Sequence, residues 1–181
     1  VALGLVVMLA GSAFAQSYPS NRIRIIVPFG AGGPADIYAR VIAHHLSQTL
    51  NQSFVVENRP GGGAVIGTTE AAKAAPDGYT LLMMSNTHTA NETLIPKKNY
   101  ALMKDLVPVA PVNYSDLVIV VHPSVPAKTL AEYVALVKKD PKFGDYASAA
   151  AGSLPHYLGV MFAKEAGLQM THIPFRGTAP A

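Results

Sequence analysis

Short hydrophobic runs alternate along the chain with patterns of helical spacing. Residues 22–27 form a run rich in isoleucine and valine, and after a glycine-rich loop the apolar positions recur every three to five residues from Ile37 to Leu50. A short run of β-branched residues is typical of a strand, and the second pattern is typical of a helix with one buried face. The first part of the chain therefore predicts a strand, a loop and a helix.

The same alternation continues along the rest of the chain and favours an α/β fold with largely parallel sheets. A capping box, in which a threonine and a glutamate satisfy free amides, places one helix start at Thr129. Further strands are predicted at 53–57, 79–84, 106–112, 117–121, 143–148 and 170–175, further helices at 64–74, after 129 and at 155–166, and a polar loop at 85–91.

The N-terminal residues predict export. Residues 1–15 carry no charge and end in the sequence Ala13-Phe14-Ala15, which is typical of a signal peptide that is cleaved after Ala15. The apolar run is interrupted at Gly11, whereas a membrane-spanning helix needs about 20 apolar residues. We therefore predict a cleaved signal peptide at 1–15, incomplete at its N-terminus.

Composition and charge exclude several classes of function. Half of the residues are hydrophobic and 14% are charged, which is typical of a globular protein. Cysteine is absent, so disulfides, thiolate metal sites and cysteine nucleophiles are excluded. The formal net charge is +3, but the basic residues are scattered and form no stripe with interleaved aromatic residues. We therefore predict no binding of nucleic acid.

Four connections that follow predicted strands are built mainly from small and polar residues. These four junctions are residues 29–33, 85–91, 148–153 and 176–179. In an open α/β sheet such connections lie at the carboxyl ends of the strands, where ligands bind. Free amides at helix starts favour anions, so the pattern predicts a site for an acidic ligand. The alternative interpretation is a set of tight turns, which are common in α/β proteins.

The first glycine loop also allows a second interpretation. Residues 30–35 fit the glycine pattern of a dinucleotide-binding fold, and Glu57 ends the next strand, where an acid can bind a ribose. However, Glu57 lies 27 residues after Gly30, later than the usual spacing of about 20. A Rossmann-type dinucleotide-binding oxidoreductase therefore remains the alternative function.

Other catalytic patterns are absent from the sequence. There is no Walker loop and no GxSxG nucleophile motif. His44 and His45 are neighbours on a predicted helix and point about 100° apart, so they cannot bind one metal as a pair four residues apart does. We predict no catalytic residue, no metal site and no cofactor. The remaining histidines have no carboxylate at a spacing that is typical of a catalytic or metal site: His88, His122, His156 and His172.

Several segments closely resemble the Bug/TctC family, the extracytoplasmic solute receptors of tripartite tricarboxylate transporters. The resemblance is carried by Ile25–Asp36, Val55–Gly63, Pro76–Leu82 and Pro174–Pro180, and it covers nearly all of the chain after residue 15. It implies a two-lobe α/β fold like that of periplasmic binding proteins, a venus flytrap that is truncated here at its C-terminus. We expect lobe one at residues 16–110 and the start of lobe two at 111–181.

The resemblance also implies a function. The family members are periplasmic receptors, not enzymes, and they deliver a ligand to the membrane subunits of the transporter. Their ligands are di- or tricarboxylates, acidic amino acids or aromatic acids. Asp36 matches an acid at a helix start, where we expect it to act as a cap. The ligand-binding residues that the resemblance implies are Phe29, Gly32, Gly33, Ser85, Asn86, Ser148, Ser153, Gly177, Thr178 and Ala179.

Overall fold

The structure is a computed structural model that describes residues 18–114 and 116–181. The predicted signal peptide lies outside the described residues. None of the described helices is both long and apolar enough to cross a bilayer. In chain order the elements are β1 (Ile23–Val27), α1 (Pro34–Leu50), β2 (Phe54–Asn58), α2 (Val65–Ala72), β3 (Thr80–Leu82), α3 (Asn86–Leu94), α4 (Leu102–Asp105), α5 (Leu130–Lys139), a 3-10 helix (Pro141–Gly144), β4 (Asp145–Ser148), α6 (Leu154–Ala166) and β5 (Thr171–Pro174).

The first sheet has the strand order β2-β1-β3, and both pairings are parallel. Helix α1 packs against β1 and β2, and α2 packs against β1 and β3. The central strand β1 is therefore almost completely buried, which suits its isoleucine and valine residues. Parallel pairing brings the carboxyl ends of all three strands to one edge of the sheet.

The hydrophobic core lies between this sheet and α1. Ile25 and Val27 of β1 pack with Ala39 and Ala43 of α1 and with Met83. The two alanines carry small side chains on the buried face of α1, which lets the helix approach the sheet closely. Full burial of an isoleucine or valine side chain contributes about 1.5–3 kcal/mol. This packing holds the start of α1 directly after β1.

The second sheet consists of β4 and β5, which are also parallel, with Ser148 opposite Pro174. Helix α6 packs against both strands. The strands predicted at 106–112 and 117–121 are wrong, because the described residues of both segments have no regular structure. A strand requires a neighbour for its ladder of hydrogen bonds, and Val109 and Val120 are instead 84% and 82% exposed.

The predicted polar loop at 85–91 is also wrong, because these residues begin helix α3. Ser85 Oγ accepts a hydrogen bond from Thr87 N at 3.3 Å. His88 Nδ1 accepts one from Ser85 N at 3.1 Å. The two side chains thus satisfy backbone amides reciprocally, as in a capping box. A histidine stands where the usual pattern has glutamate or glutamine, so the capping box cannot be recognised from its residue types.

The other predicted elements are confirmed within a few residues of their predicted bounds. Thr129 Oγ1 accepts a hydrogen bond from Glu132 N at 3.2 Å, so the predicted cap of α5 is present. The predicted strand 143–148 is shorter, because its first residues belong to the 3-10 helix. All pairings between the described strands are parallel, as the alternation of strands and helices predicts.

Candidate functional site

The first and last junctions contact each other through their backbones. Junction 29–33 follows β1, and junction 176–179 follows β5. A side chain added at Gly30 would collide with the carbonyl oxygen of Arg176. One added at Gly33 would lie 3.8 Å from Thr178 N. Only glycine permits the approach at Gly30, so the glycine pattern that suggested a dinucleotide loop here serves close packing of two backbones.

The second and third junctions also meet. Leu154 N, at the start of α6, donates a hydrogen bond to Thr87 Oγ1 in α3 at 3.4 Å. Gly63 has a φ of +63°, and a side chain added there would lie 2.8 Å from the carbonyl oxygen of Ala151. Asn91 Nδ2 donates to Gly63 O at 2.7 Å. Junction 148–153 therefore rests on the start of α3 and on the glycine loop before α2.

Two further contacts join these pairs into one cluster. The ring of Phe29 lies edge-on to His88, with the centroids 6.0 Å apart. Phe175 N donates to Ser148 O at 2.9 Å, which links the third junction to the fourth. The structure therefore brings all four predicted junctions together. That they bind a ligand remains a prediction.

The predicted site residues differ in accessibility. Ser148 and Ser153 are 4% and 1% exposed, and both hydroxyls point to the carbonyl oxygen of Ala150, at 3.0 and 2.7 Å. The buried serines therefore shape their own loop. The predicted residues that are exposed, and hence open to a ligand, are Gly32, Asn86, Thr178 and Ala179. Those that are buried or half-buried are Phe29, Gly33, Ser85, Ser148, Ser153 and Gly177.

Three helices begin in the cluster and direct their positive ends into it. The N-cap residues are Gly33 for α1, Ser85 for α3 and Ser153 for α6. The first amides of a helix lack intrahelical acceptors, and they attract negative charge. Pro34 and Pro155 each remove one of these donors. Residues 178–180 form a turn, so in the described chain the fourth junction contributes no helix start.

Asp36 stabilises the first junction, although not as the predicted cap. The N-cap of α1 is Gly33, and no side chain caps this helix. Asp36 Oδ2 instead accepts hydrogen bonds from Gly32 N at 2.9 Å and Arg40 Nε at 3.0 Å. Asn58 Nδ2 donates to Asp36 Oδ1 at 2.9 Å and to Phe29 O at 3.1 Å. Because the Gly32 amide is already paired, it is not a free donor for a ligand.

These contacts also fix the charge of Asp36. The hydrogen bond from Arg40, supported by those from Gly32 and Asn58, lowers the pKa of Asp36 to about 2 despite its burial. The carboxylate is therefore ionised at neutral pH. It accepts hydrogen bonds from three donors, and it thereby fixes loop 29–33 through Gly32 directly and through Asn58, which also donates to Phe29 O.

His88 is the buried centre of the second junction. Burial lowers the pKa of His88, so the imidazole is neutral at pH 7. Its Nε2 is buried without a partner in the described part of the chain. The sequence analysis missed His88 because it lay in a segment predicted to be a loop.

Gly63 and Thr87 were also missed as site residues. The run Pro60-Gly-Gly-Gly63 lies between a predicted strand and a predicted helix and forms part of the family resemblance, but its close approach to Ala151 depends on tertiary packing. Thr87 was one of several polar residues in the predicted loop. A contact between distant segments leaves no signal in a single sequence, so these two residues required the structure.

Glu57 does not provide the free acid that a dinucleotide site requires. It forms a bidentate ion pair with Arg24, with both distances 2.9 Å, and a second pair with Arg59 at 3.0 Å. Both arginines also contact Glu70. The hydrogen bond from Arg24 is the main reason why the pKa of Glu57 is lowered to about 2. The acid is therefore engaged in a four-membered ion network.

Two cavities lie away from the cluster. One, of about 520 Å³, lies at the opposite ends of β4 and β5 and is lined by residues such as Pro141, Leu168 and Met170. The other, of about 490 Å³, lies along residues 121–132. Neither brings helix starts together, so the cluster is the better candidate for an anionic ligand. Among residues 18–114 and 116–181 no group of three metal-binding side chains is present.

Solved structures with the same architecture define the class of protein. A protein described as a periplasmic transporter is 39% identical, with a TM-score of 0.83, over 91% of this chain and 56% of its own. MatC from Rhodopseudomonas palustris, solved with bound malate, is 32% identical, with a TM-score of 0.81, over 90% of this chain and 56% of its own. The predicted fold class, an α/β fold like that of periplasmic binding proteins, is confirmed.

Sequence comparison identifies the family. The model of the tripartite tricarboxylate transporter family receptor (TctC) matches residues 38–181. The protein BugT of Bordetella pertussis is 39% identical over 99% of this chain and 56% of its own length. The chain belongs to the TctC family of receptors, as its motifs predict. It spans about half the length of the relatives that it matches.

Proposed function

We propose that this chain is a receptor that captures a small molecule bearing a carboxylate and presents it to the membrane subunits of a tripartite tricarboxylate transporter. The observation that carries the proposal is the meeting of the starts of α1, α3 and α6 in one cluster of small residues. Family membership supports the transporter, and the malate bound to the related MatC supports a carboxylate ligand.

Physical estimates support binding without a lysine or arginine contact. A helix terminus stabilises an anion by about 0.3–1 kcal/mol, and by up to about 2 kcal/mol when partly buried. Hydrogen bonds to charged groups contribute about 1.5–3 kcal/mol each. Two or three helix starts with several such bonds together reach about 8 kcal/mol, which corresponds to micromolar affinity.

Two further parts of the proposal concern the location of the protein and whether it catalyses a reaction. We infer that the protein works in the periplasm, as the description of its solved relative indicates, and that it binds without catalysing a reaction. The dinucleotide-dependent oxidoreductase is not supported, because the named relatives are receptors and Glu57 is held by Arg24 and Arg59. We further propose the two lobes at 16–110 and 111–181, with closure between them upon binding.

A thermal-shift screen of the full-length protein tests the proposal. The probes are malate, adipate, glutamate and benzoate, with the amides of the same acids and NAD as controls. A ligand present at one hundred times its dissociation constant adds about 2.7 kcal/mol of stability. We expect at least one acid to stabilise the protein and its amide to have no effect. Stabilisation by NAD or by amides alone would contradict the proposal.

A matched pair of variants then locates the site. Asn86 is exposed at the start of α3, inside the cluster, and Asn21 is exposed outside it. We expect Asn86→Ala to weaken binding of the stabilising acid about tenfold, as loss of one hydrogen bond to a charged group implies. Asn21→Ala should leave the affinity unchanged. Equal effects of the two substitutions would place the site elsewhere.

A further inference from the structure

Two histidines of the second sheet form a stacked pair beside the third junction. The rings of His156 and His172 lie 3.7 Å apart, with an angle of 10° between their planes. His156 is the third residue of α6, and His172 lies in β5. The pair therefore connects a helix start in the cluster to the strand that leads into the fourth junction.

His156 holds the third junction through one nitrogen. Its Nδ1 accepts a hydrogen bond from Gly152 N at 3.0 Å. Accepting this bond requires a lone pair on Nδ1, so the proton of the neutral ring is on Nε2. Gly152 has a φ of +77° and follows Ala151, whose carbonyl oxygen faces Gly63. A second proton would have to occupy Nδ1, and it would remove the acceptor for Gly152.

His172 contacts the same loop through a serine. Its Nε2 lies 2.6 Å from Ser148 Oγ, which is also 3.0 Å from the carbonyl oxygen of Ala150 and 3.4 Å from Ser153 Oγ. The serine has one hydroxyl proton, so it donates either to an unprotonated Nε2 or to Ala150. Whether Nε2 of His172 carries a proton therefore selects the orientation of a buried hydroxyl in loop 148–153.

Neither histidine of the pair forms an ion pair with a carboxylate of the described residues. From β4, Tyr146 donates its hydroxyl proton to His156 O at 3.1 Å, and its ring lies 5.1 Å from that of His172. From the loop, Gly152 N contacts His156 and Ser148 Oγ contacts His172. All ion pairs of the described chain involve other side chains. A charge on one imidazole therefore faces the other imidazole directly.

This arrangement makes a charged pair unfavourable. Burial, and then the neighbouring His156, lower the pKa of His172. Two protonated rings at stacking distance repel each other, and a second proton on His156 removes the acceptor of the Gly152 hydrogen bond. Protonation of the pair therefore changes the hydrogen bonding of loop 148–153 as well as the charge of the two imidazoles.

We propose that His156 is a positioning residue for the ligand-binding loop 148–153, and that protonation of the stacked pair weakens carboxylate binding at acid pH. This inference rests on the proposed function. A positive charge near the site would by itself strengthen the binding of an acid. The proposal requires that loss of the Gly152 hydrogen bond outweighs this attraction. Protonation of the pair must therefore weaken the binding of the acid.

Calorimetric titration of the full-length protein with malate at pH 7.5 and pH 5.5 tests the sign. His156→Asn retains an amide oxygen that can accept from Gly152 but does not titrate, and His156→Ala removes the acceptor. His44→Asn, on the exposed side of α1, is the matched control. Malate itself titrates in this range, and comparison between variants removes that effect.

We expect wild type and His44→Asn to lose more affinity between the two pH values than His156→Asn. His156→Ala should bind about tenfold more weakly at pH 7.5, and His156→Asn should restore binding at that pH. Equal pH profiles for wild type and His156→Asn, or stronger binding by wild type at pH 5.5 relative to the variant, would overturn the proposal.

A second measurement needs no ligand and separates this inference from the proposed function. In ¹H–¹⁵N spectra of the ligand-free protein, the Gly152 amide signal should move with pH in wild type and stay fixed in His156→Asn. A Gly152 signal whose chemical shift does not change with pH in wild type would overturn the positioning role even if malate binds. If no carboxylate binds at any pH, the proposed function fails, and the Gly152 signal alone decides the role of His156.

Discussion

The carboxylate of Asp36 holds the first junction in place, and its replacement by asparagine provides a quantitative test. Asp36→Asn keeps the size of the side chain but removes the charge that pairs with Arg40. The new side-chain amide also places a donor opposite Asn58 Nδ2, which in the wild-type protein donates to Asp36 Oδ1. Loop 29–33 loses part of the network that ties Gly32 to the start of α1.

The expected loss of stability follows from the pKa of Asp36. Its value in the folded protein is about 2, compared with an ordinary value of 3.8. Each unit corresponds to 1.36 kcal/mol, so the network favours the ionised form by about 2 kcal/mol. Because the Arg40 side chain is 53% exposed, solvent screens part of this energy. We expect Asp36→Asn to lower the free energy of unfolding by roughly 1–2 kcal/mol at pH 7.

The sign of the pH dependence is also determined. A carboxyl whose pKa is lowered on folding stabilises the protein above the unfolded-state value, near pH 4, and this stabilisation is lost as the pH falls towards 2. The difference between wild type and Asp36→Asn should therefore be constant above about pH 5 and should shrink as the pH falls below 4. Urea denaturation of the full-length protein, followed at pH 7, 5 and 3, measures this difference.

Asp140 offers a matched control for this experiment. It also pairs with a cation, Lys142, at 2.8 Å, and it also accepts a hydrogen bond from a backbone amide. It lies on the exposed surface, where ion pairs contribute little. Asp140→Asn should unfold at the same urea concentration as wild type. If Asp36→Asn does the same, the network around the first junction does not stabilise the fold, and the reasoning is refuted.

Two further predictions concern the close approach at Gly30 and the ion network around Glu57. Gly30→Ala should weaken malate binding at least tenfold in a calorimetric titration, because the new methyl group would push the first junction away from Arg176; unchanged affinity would show that this approach does not matter for binding. Glu57→Gln should lower the free energy of unfolding by at most about 1 kcal/mol in low salt, and less in 1 M NaCl, because its pairs with Arg24 and Arg59 are partly exposed and screened. A loss that does not depend on salt would mean that packing, not charge, explains the effect.

Elements with a strong local pattern could be predicted from the sequence. Strand β1 and helix α1 follow directly from the run at 22–27 and from the spacing of Ile37 to Leu50. The cap at Thr129 follows from side-chain chemistry that acts over three residues. In each case the interaction that stabilises the element lies within the element or beside it in sequence.

The failures have two causes. The segments 106–112 and 117–121 carry the composition of strands, but a strand also requires a neighbour that the sequence does not identify. Helix α3 was missed because its cap uses His88 in place of the usual acid or amide. The junctions of the site were predicted from the rule that loops at the carboxyl ends of parallel strands meet. Their contacts across the fold, such as Gly63 with Ala151, depend on packing between distant segments.

The most direct test of the central claim is to observe which backbone amides respond to a carboxylate. In ¹H–¹⁵N spectra of the full-length protein titrated with malate, we expect the largest shifts in residues 29–36, 85–87, 148–156 and 176–179, with one common dissociation constant. Shifts confined to the cavity near Pro141 and Met170, or spread over surface lysines, would contradict the claim that clustered helix starts bind the acid.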